Sequence, residues 1–143
     1  MTNRTLEDVR IKLSALWVAR MLSGFLGDVL RFTDPVALEQ TLARDTPVPV
    51  TEGLLLGSGV FFALPIFMVV FSLTLKSKAS RWANIILGTI FVGFDLFFLI
   101  ATFPLGSAVY EIAMAFIYPV FPALIVWYAW RWPQLVSPSR GLN

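Results

Sequence analysis

The sequence contains no cysteine and no histidine. The first absence excludes disulfides and thiol chemistry, and the second removes the commonest protein ligand of metals and tetrapyrroles. We therefore expect no cofactor, and haem, bacteriochlorophyll and zinc held by this chain alone are disfavoured. Charged residues are scarce as well, at 14% of the chain compared with about 25% in typical soluble proteins.

Apolar residues dominate what remains, at 57% of the chain with a mean hydropathy of +0.77. Four apolar segments are long enough to cross a bilayer, because about 20 helical residues cover a hydrocarbon core of roughly 30 Å. We predict one all-α domain over residues 1–143, a four-helix up-and-down transmembrane bundle. The predicted spans are Leu13–Leu30, Leu54–Leu75, Ala83–Phe103 and Ala108–Trp130.

The positions of the basic residues predict the orientation of the bundle, since cytoplasmic loops of membrane proteins are enriched in Lys and Arg. Both termini are therefore expected to be cytoplasmic, in a bacterial inner membrane, and nucleic-acid binding is disfavoured because topology already explains the basic residues. The charged amino terminus is followed by a full-length span without a clear small-residue cleavage site, unlike a secretory signal, so it is expected to be retained. The basic sets that fall on one side are Arg4, Arg10 and Lys12; Lys76, Lys78 and Arg81; and Arg131 and Arg140.

The loop after the first span contains a helix-start signal. Asp34 is a suitable N-cap and Pro35 a suitable first helical residue, which predicts a short helix to about Ala43. Its apolar residues are expected to be buried against protein or lipid, and a Pro47–Pro49 stretch then extends the chain. These apolar residues are Val36, Leu38 and Leu42.

The five tryptophans lie mostly near the predicted cytoplasmic ends of the spans, where indole rings favour the headgroup region. A membrane-interface belt is therefore the expected role, in preference to a cofactor or sugar platform. The residues are Trp17, Trp82, Trp127, Trp130 and Trp132.

Charged side chains inside the spans carry whatever chemistry the sequence offers, because each is costly in hydrocarbon unless it is paired or hydrated. Arg20 and Asp95 lie far from any span end, at depths that differ by about 6 Å. In an up-and-down bundle the first and third spans are diagonal, so both charges can face the axis. The spacing predicts a ligand-binding pocket, with one carboxylate in excess, lined by Arg20, Asp28, Asp95, Glu111 and Tyr118.

The same residues also have structural interpretations that do not involve a ligand. Asp28 can pair with Arg31 along its own helix, and Glu111 can complement a helix N-terminus capped by Ser107. Arg20 and Asp95 can form a purely structural interhelical ion pair. The glycine pairs Gly24/Gly27 and Gly57/Gly59 are typical of close helix contacts, and Pro65, Pro119 and Pro122 can kink their helices.

Several local motifs occur in an order that resembles a family of small bacterial four-helix membrane proteins of unknown function. The resemblance covers nearly the whole chain and implies four spans in a bacterial cytoplasmic membrane, but no activity or site, and Arg20 matches no position of the pattern. The motifs are Lys12–Trp17, Asp28 with Asp34-Pro35, Thr51–Gly53, Leu64–Ile66, Arg81–Ile85 and Ile125–Trp132.

Three functional hypotheses follow. The first is a protein that binds or transports a small lipophilic or cationic molecule in the pocket, with the bilayer as its surroundings and dimerisation as one way to complete the site. The second is an accessory or structural subunit of a larger membrane complex. The third is an enzyme acting on a lipid-soluble substrate, with Asp95 and Glu111 as acid and base.

Overall fold

A computed structural model describes residues 2–43, 50–102 and 108–136 of the chain. Within these residues the structure is helical and contains no strand, which confirms the predicted fold class. The helices are α1 (Thr2–Thr33), α2 (Pro35–Leu42), α3 (Glu52–Thr74), α4 (Ser77–Thr102), α5 (Val109–Ile117) and α6 (Val120–Val136).

Four helical segments of the described chain are long and apolar enough to cross a membrane: Leu6–Thr33, Glu52–Thr74, Ser77–Thr102 and Val109–Trp132. Each contains one of the four predicted spans, except that the span ends Leu75, Phe103 and Ala108 lie outside these segments. The direction in which they would cross stays a prediction. We call the end of the bundle that carries Thr2 and Val136 the proximal end, and the opposite end, where α1 leads into α2, the distal end.

Helix α1 starts eleven residues before the predicted span (Thr2 instead of Leu13). The reason is visible in its buried face: Val9, Leu13 and Trp17 follow one another at helical spacing and all belong to the same apolar core. Because Val9 lies before the span, packing continues the helix beyond the apolar run.

The fourth apolar segment is interrupted. Helix α5 ends at Ile117 and α6 begins at Val120, with Tyr118 and Pro119 between them. Pro119 has no N–H group to donate and its ring opposes a regular helix, so the break falls where the sequence contains this proline. The break places Tyr118 at the inner side of the bundle.

Packing of the helices makes α1 and α4 diagonal. Helix α1 contacts α3, α5 and α6, and α4 contacts the same three helices. These three helices therefore lie between α1 and α4. Helices α4 and α6 approach closely at Gly88, where an added Cβ would lie 2.8 Å from a side-chain carbon of Val126. The faces of α1 and α4 that carry Arg20 and Asp95 therefore turn toward the same axis.

The short helix α2 forms as predicted. Asp34 is its N-cap and accepts a hydrogen bond from the backbone N–H of Val36 at 3.0 Å, and Pro35 is its first residue. Its apolar side chains are not buried against protein: Val36, Leu38 and Leu42 are exposed, and Ala37 is the buried residue. Burial of that face against lipid stays a prediction. The Pro47–Pro49 stretch, Arg44, Ser107 and Arg140 lie outside the described residues.

Two tryptophans do not belong to an interface belt, and that part of the prediction is wrong. Trp17 is fully buried and Trp132 nearly so, both in the apolar core between the helices. Trp82, Trp127 and Trp130 are exposed on the outside of the bundle, as a belt requires. The two buried rings face the bundle because they continue the helical spacing of core positions on α1 and α6.

Candidate functional site

A cavity of about 360 Å³ lies in the distal half of the bundle. It is bounded by α1, α3, α4 and α5 and by Tyr118 at the break in the fourth segment. We refer to it as the distal cavity. Its walls combine aromatic rings with a few charged groups, and its lining residues include Arg20, Asp28, Arg31, Phe62, Pro65, Phe91, Phe94, Asp95, Phe98, Tyr110, Glu111 and Tyr118.

The floor of the distal cavity is an ion pair between α1 and α4. The Arg20 guanidinium meets the Asp95 carboxylate in two hydrogen bonds, Nε to Oδ2 at 3.1 Å and Nη2 to Oδ1 at 2.6 Å. The two side chains are only 6% and 1% exposed. This parallel pairing is the strongest geometry that arginine offers a carboxylate. The predicted interaction between Arg20 and Asp95 is confirmed.

Aromatic rings enclose the arginine of this pair. The guanidinium carbon lies 5.6 Å from the ring centre of Phe91 and 5.3 Å from that of Tyr118. Phe91 in turn stacks on Phe61, with 4.6 Å between the ring centres, and meets Trp17 edge to face at 5.7 Å. The rings shield the pair from water on the proximal side and contribute cation–π attraction.

Tyr118 reaches the cavity because it stands at the break between α5 and α6. Its hydroxyl lies against Gly27 of α1, in the position that a side-chain carbon at residue 27 would occupy. Its ring also meets Phe98, with 5.9 Å between the centres. Tyr118 therefore forms the wall between α1 and α4 above the ion pair.

The mouth of the cavity carries the remaining charges. Asp28 and Arg31 are exposed at the end of α1, and Glu111 is half-buried in the first turn of α5. Within the described residues Arg20–Asp95 is the only ion pair, so the alternative pairing of Asp28 with Arg31 is not formed. Glu111 lies in the first turn of α5, where it can complement the helix N-terminus, and it also lines the cavity.

Tyr110 connects the mouth to the short helix α2. Its hydroxyl donates a hydrogen bond of 3.2 Å to Oδ2 of Asp34, the residue that caps α2 through its other oxygen. One carboxylate thus joins the end of α1, the start of α2 and the start of α5. This link fixes the side of the cavity nearest the distal end.

A second polar cluster lies below the floor, toward the proximal end. Asn84 accepts hydrogen bonds at its Oδ1 from Trp17 Nε1 (2.7 Å) and Ser72 Oγ (3.1 Å), and its Nδ2 donates to the backbone oxygen of Ser80 (2.7 Å). All four side chains are buried. The amide oxygen and nitrogen of Asn84 both form hydrogen bonds within the protein. The cluster therefore joins three helices and is already satisfied without a ligand.

All five site residues predicted from the sequence line the distal cavity: Arg20, Asp28, Asp95, Glu111 and Tyr118. The phenylalanine walls were not predicted, since an apolar ring in an apolar span carries no local signal of which way it faces. Phe91 could have been found from its place one turn before Asp95 on the same helix face. No group of three or more acidic side chains within the described residues could hold a metal ion.

Comparison with known proteins yields one match. A family described as a family of unknown function, DUF6326, matches residues 5–137. No curated protein and no solved structure matches the chain.

Proposed function

Since the chain belongs to DUF6326, a family of unknown function, we propose from the distal cavity itself that the protein binds a small lipophilic cation within the bilayer. The cavity volume of about 360 Å³ falls near the lower end of ligand pockets, which span roughly 300–1,000 Å³. A molecule with one aromatic or branched apolar group and one ammonium group is of the right size.

The charge of the lining is the observation that carries this proposal. Arg20 and Asp95 neutralise each other in the floor, which leaves Asp28 and Glu111 opposed only by Arg31. The mouth therefore has one negative charge in excess. In surroundings of low dielectric constant an unbalanced carboxylate attracts a cation more strongly than it would in water.

The aromatic walls favour the same ligand. Rings of phenylalanine and tyrosine present a negative face to an ammonium group and an apolar surface to the rest of the molecule. An anion would meet both the excess carboxylate and the ring faces unfavourably. The rings that line the cavity are Phe25, Phe62, Phe91, Phe94, Phe98, Tyr110 and Tyr118.

In this proposal the Arg20–Asp95 ion pair stabilises the bundle and does not bind the ligand. Asp95 is held by two hydrogen bonds from Arg20, so it is neither a free acid nor a free base. Its role is to join the diagonal helices α1 and α4 and so keep the cavity open. The groups assigned to the ligand are Asp28 and Glu111, with Tyr118 as the wall between them and the floor.

We further propose that the four apolar helices cross a bacterial cytoplasmic membrane with both termini on the cytoplasmic side. The apolar length of the helices supports a multi-pass membrane protein. The basic residues at the proximal end support the orientation, because Lys and Arg are retained on the cytoplasmic side. In this orientation the distal cavity opens toward the outer face of the membrane.

Binding is tested with three benzyl compounds that differ in charge: benzyltrimethylammonium, the isosteric neutral hydrocarbon neopentylbenzene, and benzylsulfonate. A ligand that binds only the folded protein raises the unfolding temperature with concentration. In detergent solution we expect the cation to raise it by several degrees, the hydrocarbon less and the anion not at all. Equal stabilisation by cation and hydrocarbon, or greater stabilisation by the anion, would contradict the proposal.

A further inference from the structure

The proximal end carries a row of two cations with two aromatic rings between them, on α1 and α6. Lys12 Nζ of α1 lies 5.9 Å from the ring centre of Tyr128, and the guanidinium carbon of Arg131 lies 4.5 Å from that of Trp127. The Tyr128 and Trp127 rings meet edge to face at 4.8 Å. We call these four residues the proximal row. It crosses the contact between two helices.

Neither cation of the proximal row is neutralised by a side chain that the structure describes. Lys12 and Arg131 are exposed, and no carboxylate within the described residues lies at ion-pair distance from either. Asp8, one turn before Lys12 on α1, is exposed and does not pair with it. Within the part of the chain that the structure describes, these two positive charges have no anionic partner.

Two other arginines at this end, Arg10 and Arg81, are already engaged. Arg10 donates to the backbone oxygens of Leu73 and Leu75, at 3.3 and 2.9 Å, where α3 ends. Arg81 donates to the backbone oxygen of Ala129 at 3.2 Å. Arg10 and Arg81 thus donate to backbone oxygens of other helices, whereas no hydrogen bond from Lys12 or Arg131 is formed within the described residues.

The row stands at the level where a span meets the headgroup region. Lys12 immediately precedes the predicted start of the first span, and Trp127 and Arg131 lie at the proximal end of the fourth apolar segment. Tryptophan and tyrosine rings favour this level because they contact both apolar chains and polar groups. Phospholipid headgroups lie at this same level.

We propose that the proximal row binds the headgroup of an anionic phospholipid. The phosphate would accept hydrogen bonds from the Arg131 guanidinium, which is the side chain best suited to phosphate oxygens, and the Lys12 ammonium at the other end of the row would add its positive charge. The Trp127 and Tyr128 rings would contact the glycerol and upper acyl carbons. This site is separate from the distal cavity, so it does not depend on the proposed function.

The test uses the full-length protein in phosphatidylcholine vesicles that receive increasing fractions of phosphatidylglycerol with brominated acyl chains, or of brominated phosphatidylcholine. Bromine quenches nearby indole emission, and the difference from a Trp127→Phe variant isolates the signal of Trp127. We expect half-quenching at a several-fold lower fraction of the anionic lipid. Equal half-quenching fractions for the two lipids would overturn the proposal.

Two double variants with the same loss of charge separate this site from general attraction to the membrane. Lys12→Gln with Arg131→Gln should abolish most of the anionic preference, because each charge near an anionic surface contributes about 1 kcal/mol, or about fivefold. Lys76→Gln with Lys78→Gln, which alters exposed cations outside the row, should preserve it. Equal losses in the two variants would contradict a defined site. Recovery of emission with millimolar inorganic phosphate, beyond that given by chloride at equal ionic strength, would contradict the choice of a lipid.

Discussion

The hydroxyl of Tyr118 occupies the space in which residue 27 of α1 would carry a side chain, and glycine at position 27 leaves that space free. The contact joins α1 to the break between α5 and α6. It also positions the tyrosine ring beside the Arg20 guanidinium, 5.3 Å from the ring centre. The wall of the distal cavity therefore depends on the absence of one methyl group.

Gly27→Ala is expected to displace Tyr118 and destabilise the protein by about 1–3 kcal/mol, the usual cost of overfilling a packed site. The loss should be smaller in a Tyr118→Phe background, because the hydroxyl that meets the new methyl group is then gone. The free energy of unfolding of the four proteins measures this. Gly57→Ala is the matched control, since an added carbon there meets nothing within 4 Å. An equal loss at Gly57 would refute the packing argument.

Removal of either partner of the Arg20–Asp95 pair is expected to destabilise strongly. Arg20→Leu and Asp95→Leu should each cost about 3–5 kcal/mol, because the partner is left as a buried uncompensated charge. The double variant should cost less than the sum of the two. A double-mutant cycle on unfolding measures the coupling, and additive losses would show that the pair contributes no interaction energy.

The hydrogen bonds of the Asn84 cluster predict that loss of Asn84 destabilises the protein more than loss of Ser72. Ser72→Ala removes one of two donors to Asn84 Oδ1 and should cost about 1 kcal/mol. Asn84→Ala strands the buried N–H of Trp17 and opens a cavity, so it should cost about 2–4 kcal/mol. Chemical unfolding of both variants provides the comparison. A larger loss at Ser72 than at Asn84 would be inconsistent with Asn84 as the centre of the cluster.

Reporter fusions test the orientation. A reporter joined after Lys78 or at Asn143 should be active as a cytoplasmic fusion, and one inserted after Ala43 as an external fusion. The physical reason is retention of the basic residues near Lys12, Lys78 and Arg131 on the cytoplasmic side. An external reporter at Asn143 together with a cytoplasmic one at Lys78 would require an odd number of crossings between them and contradict the four-span arrangement.

The sequence was sufficient to predict the helices and the charged pair, because both follow from periodicity. Long apolar runs specify the spans, Asp34-Pro35 specifies the start of α2, and helical rise gives the depths of Arg20 and Asp95. Each of these signals is local or depends on a single helix. Tertiary packing was needed only to bring the two charges together.

Features that depend on how neighbouring helices fit together were not predicted. Trp17 looked like an interface residue because of its position in the span, yet Asn84 provides an internal acceptor for its indole N–H. The sequence predicted that Tyr118 lines the pocket and that Pro119 can kink the helix, but the contact of the Tyr118 hydroxyl with Gly27 was not predicted. Such contacts depend on two elements at once, and no single segment contains the information.

The most direct test of the central claim measures the affinity for benzyltrimethylammonium after a mouth carboxylate is neutralised. Glu111→Gln should weaken binding at least tenfold, which corresponds to ~1.4 kcal/mol, because one charge about 4 Å away contributes ~4 kcal/mol at an effective dielectric constant near 20 and less where water reaches it. Glu39→Gln, which removes the same charge from the exposed surface of α2, should leave the affinity unchanged. We expect the affinity for benzyltrimethylammonium to fall in the Glu111 variant alone. Equal affinities in the two variants and the parent protein would contradict a cation site at the mouth of the distal cavity.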